Sequence, residues 1–504
     1  MSIFKIRFSR IIIFGLLIFY VVCGYIYLNV ENAHIVDTYS MVLLFIIIAI
    51  LILFQVVPSK YDRPLFLLFS IFVFQKYCLS ILFMLLLPEY GRKEMVEAYQ
   101  VYDSAQFNSI LVYCIFGTIL LGLGTKIGGS IANKKVFYEN INFLDRLMLK
   151  INPAAILMIF LVLSSYSLYL NYYYSIGRHY SASVDTGLNF LNIFKNTSWI
   201  FYISLAYVSF FWGILKRYQK KIVILTIVLI IASSIAQGSR SYIYVYFILA
   251  ILIKTVTGGD FKVAFKKTIF AILIIITAIT SYPIALGIRN AGRAENYSVA
   301  NLAKQIKYAY FANENPYGVM TMDIISRLTM IEPSFRILND LEVNSVEDNV
   351  TVIGDIKRII NGMVPGDLFS DVIYHTRLYA YVYQGNYIRY NTVEWGYYEY
   401  CYALFGTFGG LIFVLFISAV LGSIWKLALI RNYGFKSILL VFFIMIYWTM
   451  LKNMGMSYVV ANAVTEIFVF LFYLPVAWLL SQLMGKYYLR KKLLIVNKER
   501  VGQF

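Results

Sequence analysis

Runs of apolar residues long enough to cross a bilayer recur along the whole chain, separated by polar connections. A transmembrane helix needs about 20 apolar residues to cross roughly 30 Å of hydrocarbon. That spacing predicts about twelve spans, at 11–29, 40–57, 65–87, 108–129, 154–174, 196–215, 222–238, 240–257, 269–287, 396–425, 437–451 and 457–483. Short alternating segments, the mark of a membrane β-barrel, are missing, and helices are the other way to satisfy a backbone in lipid. The expected fold is therefore an all-α polytopic membrane protein. One connection is long: 288–395, 108 residues. It divides the chain into an N-terminal bundle of about nine spans (1–287), a large outer segment (288–395), and C-terminal spans with a basic tail (396–504).

Composition agrees. Of the 504 residues, 60% are hydrophobic and 14% charged, against about 25% charged in soluble domains; mean hydropathy is +0.71. The net charge of +18 is unevenly spread. The pieces 1–10, 58–64, 126–153, 216–221, 254–268, 426–436 and 484–504 hold 27 of the 44 Lys and Arg residues but only five of the 26 acids. Basic connections mark the cytoplasmic side, so both termini are expected there and 288–395 outside. Membrane orientation thus accounts for the basicity, and runs such as "KRYQKK" suit anionic lipid better than nucleic acid. The opening "MSIFKIRFSRIIIFGLLIFYVVCGYIYL" has no A-x-A cleavage site and is expected to remain as the first span. Cys23, Cys78, Cys114 and Cys401 fall in or beside spans without metal-ligand spacing.

Between Lys221 and Lys254 the one ionisable side chain of the Asp, Glu, Lys, Arg or His type is Arg240. Basic clusters flank the stretch on both sides, so it reads as a helical hairpin whose tip, "AQGSRS", reaches the outer membrane boundary. Gly238 suits the end of the first helix and Ser239 the N-cap of the second. Arg240 then sits in a first turn, where the helix dipole disfavours a cation. A docked anion, phosphate above all, would reconcile the two positive charges. Anchoring to lipid headgroups is the plainer alternative.

The outer segment carries Arg289, Arg293, Arg327, Arg336, Arg358, Arg377 and Arg389. In "MDIISRLTMIEPSFRILNDL", Ile324, Ile325, Leu328 and Ile331 share one helical face, and Pro333 breaks the pattern. Such helices lie along a membrane surface, which would hold Arg327 and Arg336 near phosphates. Between Tyr374 and Tyr402 there are ten tyrosines. Tyr374 and Tyr379, with His375 and Arg377 interleaved, could face a charged, sugar-bearing lipid; an interfacial aromatic belt is the alternative. His34 and His179 have no second histidine nearby, although Arg178 beside His179 leaves a secondary substrate role open.

The tip "QGSRSYIYVYFILA", the long outer segment and "EWGYYEYCYALFGTFGGLIFVLFISAVLG" together resemble the O-antigen polymerase, or oligosaccharide repeat-unit polymerase, family of bacterial inner-membrane proteins. The resemblance covers roughly 230–425. It implies a GT-C-like glycosyltransferase whose donor is a growing glycan on undecaprenyl pyrophosphate and whose acceptor is one repeat unit on the same lipid. Undecaprenyl pyrophosphate would be released, with no metal and no cofactor; no acidic pair occurs in "ENAHIVDTYS". Arg240 carries over by its motif and Arg327 more weakly, whereas "MVPGDLF" has Gly366 where the family often has arginine. Arginine suits a departing pyrophosphate through planar, permanently charged contacts. The expected clamp is Arg240 with one or more of Arg289, Arg293, Arg327, Arg336 and Arg377. His375 is the expected general base, with Asp371, Glu332 and Glu394 as alternatives. Membrane lipids and a chain-length regulator are candidate partners. Rival readings are an O-antigen ligase, which shares the donor, and a lipid-linked oligosaccharide flippase, for which no internal repeat is evident.

Overall fold

Lipid leaves a backbone no partner but itself, and the apolar runs fold accordingly. The computed structural model describes residues 6–30, 35–59, 62–86, 103–132, 151–173, 215–236, 262–263, 303–305, 307, 334, 337–338, 351–363, 368–369, 396–429 and 473–483. Helix α1 spans Phe8–Asn29, α2 Thr38–Val56, α3 Arg63–Val73, α4 Leu79–Leu86 and α5 Ser104–Ala132. Further along come α6 at Pro153–Tyr173, α7 at Arg217–Ala236, α8 at Val352–Met363 and α9 at Tyr397–Leu429. A π-helical turn, Phe74–Cys78, joins α3 to α4.

Among the described residues five helices are long and apolar enough to cross a membrane: Ser9–Asn29, Thr38–Val56, Leu65–Leu85, Ser104–Ala132 and Tyr397–Lys426. They stand where five of the dozen spans were expected. Ala154–Leu170 is a shorter apolar helix at a sixth position, and α7 covers 222–236 of a seventh. The spans expected at 240–257, 269–287 and 437–451 lie outside the described residues, as does 196–215 but for Leu215; of 457–483 only the helical 473–483 is described. The purely helical expectation needs one local correction. Ile6–Arg7 (β1) pairs antiparallel with Lys262–Val263 (β2), Ile6 opposite Val263 and Arg7 opposite Lys262. So short a pair adds little stability, and it sets Ile6–Arg7 directly beside Lys262–Val263.

Polar caps set the helix ends. Asp37 caps α2 in a capping box: Ser40 N–H donates to its Oδ1 at 2.7 Å, and the Ser40 hydroxyl accepts from Asp37 N–H at 3.2 Å. Asn108 of α5 joins them, donating to Asp37 and accepting from the Ser40 hydroxyl at 2.7 Å. Burial pushes the Asp37 carboxyl up, but the hydrogen bonds from Ser40, Asn108 and Ser104 outweigh it and leave the carboxyl below its ordinary value. A depressed carboxyl stabilises the fold above its unfolded value of about 4 and loses that contribution as pH falls through the folded value. Asparagine caps equally well without titrating. Melting temperature measured from neutral pH to pH ~3 should therefore fall less steeply for Asp37→Asn than for the wild type.

Contacts fix the helix directions. Ser40 meets Asn108 at one end of α2, and the Phe54 ring covers Gly122 near the other, so α2 and α5 run parallel. Along α9 the pairing is closer still. Gly124 lies against the Leu415 carbonyl and Ser418, Gly128 against the Ala419 backbone, and Gly422 against Thr125. Gly124/Gly128 and Ser418/Gly422 form a small-x-x-x-small seam that lets two backbones touch, and the Ser423 hydroxyl donates to the Gly128 carbonyl at 2.9 Å. These two helices also run parallel.

Gly406, at φ +68°, interrupts α9. The Tyr397 hydroxyl reaches the Val414 carbonyl at 3.4 Å, whereas 17 residues of straight helix span about 25 Å. Cys401's carbonyl lies against Gly410, and the Phe405 and Phe413 rings are 4.7 Å apart. Pairs 397/414 and 401/410 share one centre, at 405/406, so 397–405 folds back along the start of 407–429. The span expected at 396–425 is thus a short arm, 397–405, and a membrane-length long arm, 407–429. Phe408, Ile412, Phe416, Val420 and Ile424 repeat every four residues on the long arm and are exposed, as a lipid-facing stripe should be.

Candidate functional site: a buried charge cluster on the folded-back arm

Lys76 is the only charged residue of 65–87 and Glu399 the only one of 396–425. The fold brings these two together. Lys76 Nζ stands 2.7 Å from Glu399 Oε2, with the carboxylate fully buried and the lysine nearly so. Oε2 has no well-aligned donor, so the link is chiefly ionic. Glu399 Oε1 accepts from the Tyr77 hydroxyl at 3.0 Å and from the Ser334 hydroxyl. Charge inside a membrane protein is costly and is a default marker of function.

Local sequence explains the placement. A π turn shifts the helix register by one residue and occurs often at functional sites; here it carries both Lys76 and Tyr77. The Ser80 hydroxyl lies 2.8 Å from the Lys76 carbonyl and 2.7 Å from that of Tyr77, serving backbone oxygens that the widened turn loosens. On the other side Gly396 opens the arm, its carbonyl accepting from Tyr400 N–H at 3.1 Å. A Cβ at Gly396 would run into both Lys76 Nζ and Glu399 Oε2. A larger residue there would displace the tips of the paired side chains, so glycine leaves room for the ion pair against the backbone.

Tyrosines surround the pair. Tyr398 stacks on Tyr77 with centroids 6.1 Å apart and shares a 3.0 Å hydrogen bond with Thr118 of α5. Tyr400 donates to Asp355 of α8, and Asp355 pairs with Arg358 at 2.8 Å. Burial pulls the Arg358 guanidinium below the ordinary arginine value, and the Asp355 carboxylate opposes that shift. Tyr402 donates to the Leu338 carbonyl at 3.5 Å. Ser334, Leu338 and Asp355 all belong to 288–395, so that segment grips the arm at three points. The Glu399 carboxyl is engaged at both oxygens and sealed from solvent. It ties the π turn, the arm and Ser334 together.

Arg240, Arg289, Arg293, Arg327, Arg336, Tyr374, His375, Arg377 and Tyr379 lie outside the described residues, as do Glu332, Asp371 and Glu394. Among the described residues the long segment is represented at the arm by Ser334, Ile337, Leu338 and α8, which flank Arg336 in the chain. No family model, curated protein or solved structure matches this chain. Lys76 and Glu399 were missed by the motif reading although a signal was present: each is a lone charge in an apolar run, the feature that singled out Arg240.

Proposed function

We propose that this protein is a membrane glycosyltransferase that joins polyprenyl-pyrophosphate-linked oligosaccharide repeat units into a polysaccharide, transferring the growing chain and releasing the polyprenyl pyrophosphate. The observation that carries the reading is the triple grip of 288–395 on the arm. Sites that process a lipid-linked substrate need a polar segment positioned by a rigid scaffold at the membrane boundary, and the segment rich in arginine and tyrosine is anchored through Ser334, Leu338 and Asp355. The sequence resemblance falls on the same stretch, since Glu399, Tyr400 and Tyr402 lie inside "EWGYYEYCY". On this reading the architecture is GT-C-like, the protein resides in a bacterial plasma membrane with 288–395 outside, and Arg240 with Arg327, Arg336 and other arginines of the segment clamps the leaving diphosphate. His375 takes the proton of the acceptor hydroxyl.

The test is chain elongation by protein in nanodiscs given lipid-pyrophosphate-linked repeat units, read as a ladder on a gel. Arg240→Ala should slow elongation by about a hundredfold or more, the usual loss on removing one preorganised electrostatic contact. Unchanged ladders would remove Arg240 from the clamp, and a wild type that never elongates would remove the polymerase.

A second reading, a carrier of lipid-linked oligosaccharides, is favoured by the interruption of α9 at Gly406 and the charge pair at the π turn, because carriers place interrupted helices and paired charges within the membrane. Movement of a labelled lipid-linked glycan across vesicles without lengthening would select it.

A further inference from the structure

Helix α8 is amphipathic the wrong way round for water. Its charged pair faces inward: Asp355 is 7% and Arg358 3% exposed, Asp355 accepting from Tyr400 of the arm and pairing with Arg358. Its apolar residues face outward, with Val352 50%, Ile353 69% and Ile356 52% exposed, and Ile360 on the same side of the wheel is half-buried. At 100° per residue these four share one stripe, opposite the side occupied by Asp355 and Arg358.

We propose that α8 is an interfacial helix whose Val352–Ile353–Ile356 face is immersed in the headgroup–acyl boundary of the membrane that the bundle spans. Three observations favour lipid over water or a protein partner. The helix is fastened through Tyr400 to an arm that folds back along a membrane-length helix whose own outer residues, Phe408 and Ile412, are exposed as a lipid-facing stripe. Leu368, five residues past the helix end, is likewise an exposed apolar side chain at 61%. Lys357 flanks the stripe, its ammonium 5.6 Å from the centre of the Phe369 ring, and a lysine at the edge of an apolar face suits an immersed helix, whose long side chains can reach the headgroups. The helix thereby sets the depth of 288–395 without itself touching a substrate, and this inference stands apart from the reaction proposed above.

The test uses the full chain in nanodiscs of phosphatidylethanolamine and phosphatidylglycerol. Ile353→Cys and, as a second site, Ile356→Cys are labelled with an environment-sensitive fluorophore; the four native cysteines are buried and take up little label. Monodispersity on gel filtration establishes that each labelled variant is folded. Lipids carrying a doxyl group near the headgroup should quench the emission by about half or more, and iodide should quench it weakly, as befits a probe ~5–10 Å into the boundary. Stronger quenching by iodide would place the face in water and overturn the proposal. Protection from both quenchers would mean that protein covers the face, in a second copy or another chain, and would overturn it equally.

Discussion

Replacing Glu399 with glutamine is expected to destabilise the protein by about 3–5 kcal/mol, because it leaves the Lys76 ammonium buried without its counter-charge. Forming the pair is close to neutral, since desolvation offsets most of the attraction; breaking it is not. The double variant Lys76→Met/Glu399→Gln should therefore be more stable than Glu399→Gln alone. Thermal unfolding in detergent for the wild type, both single variants and the double variant gives the coupling directly. Additive losses would mean that the two residues act separately. Ser334 and Tyr77 also lose a charged acceptor, so proteolysis within 288–395 should rise in the single variant as the grip on the arm loosens.

Gly128→Ala should be the most damaging single methyl in the described helices. Its Cβ would fall inside the Ala419 carbonyl, and backbone cannot swing aside as a side chain can. Overpacking of this kind costs about 1–3 kcal/mol, and here the helices must also part along the seam. Gly15→Ala supplies the control, with nothing within 4 Å of the added methyl; there alanine's higher helix propensity should give about 1 kcal/mol in favour of the variant. Equal melting temperatures for Gly128→Ala and the wild type would show that the seam is looser than the contacts indicate.

The helical spans could be read from the chain because lipid admits few alternatives: α1, α2, α3–α4 and α5 begin and end within a few residues of the apolar runs. The fold-back of α9 could not. Its stretch Gly396–Trp425 is apolar apart from Glu399 and a few hydroxyl residues, and nothing local separates Gly406 from Gly409 or Gly410, which remain helical. Excess length was the available hint, since 396–425 exceeds the ~20 residues a crossing needs. Lys76 and Glu399 were visible singly, yet their partnership depends on two segments 323 positions apart, as the 322-residue separation of Tyr77 and Glu399 makes plain. Inverted amphipathicity in α8 was hidden for a different reason. Apolar spacing reveals a stripe, but only packing tells whether that stripe points inward or out.

The seam between α5 and the long arm also sets a timetable for biogenesis. Ser423 and Gly128 are 295 residues apart, so at 5–20 residues per second the glycine groove of α5 waits on the order of half a minute for the helix that fills it. During that interval the nascent chain must shield an open notch from every other helix emerging beside it. A ribosome stalled before residue 407 would hold four of the five membrane-length helices among the described residues, but not yet the long arm that fills the groove.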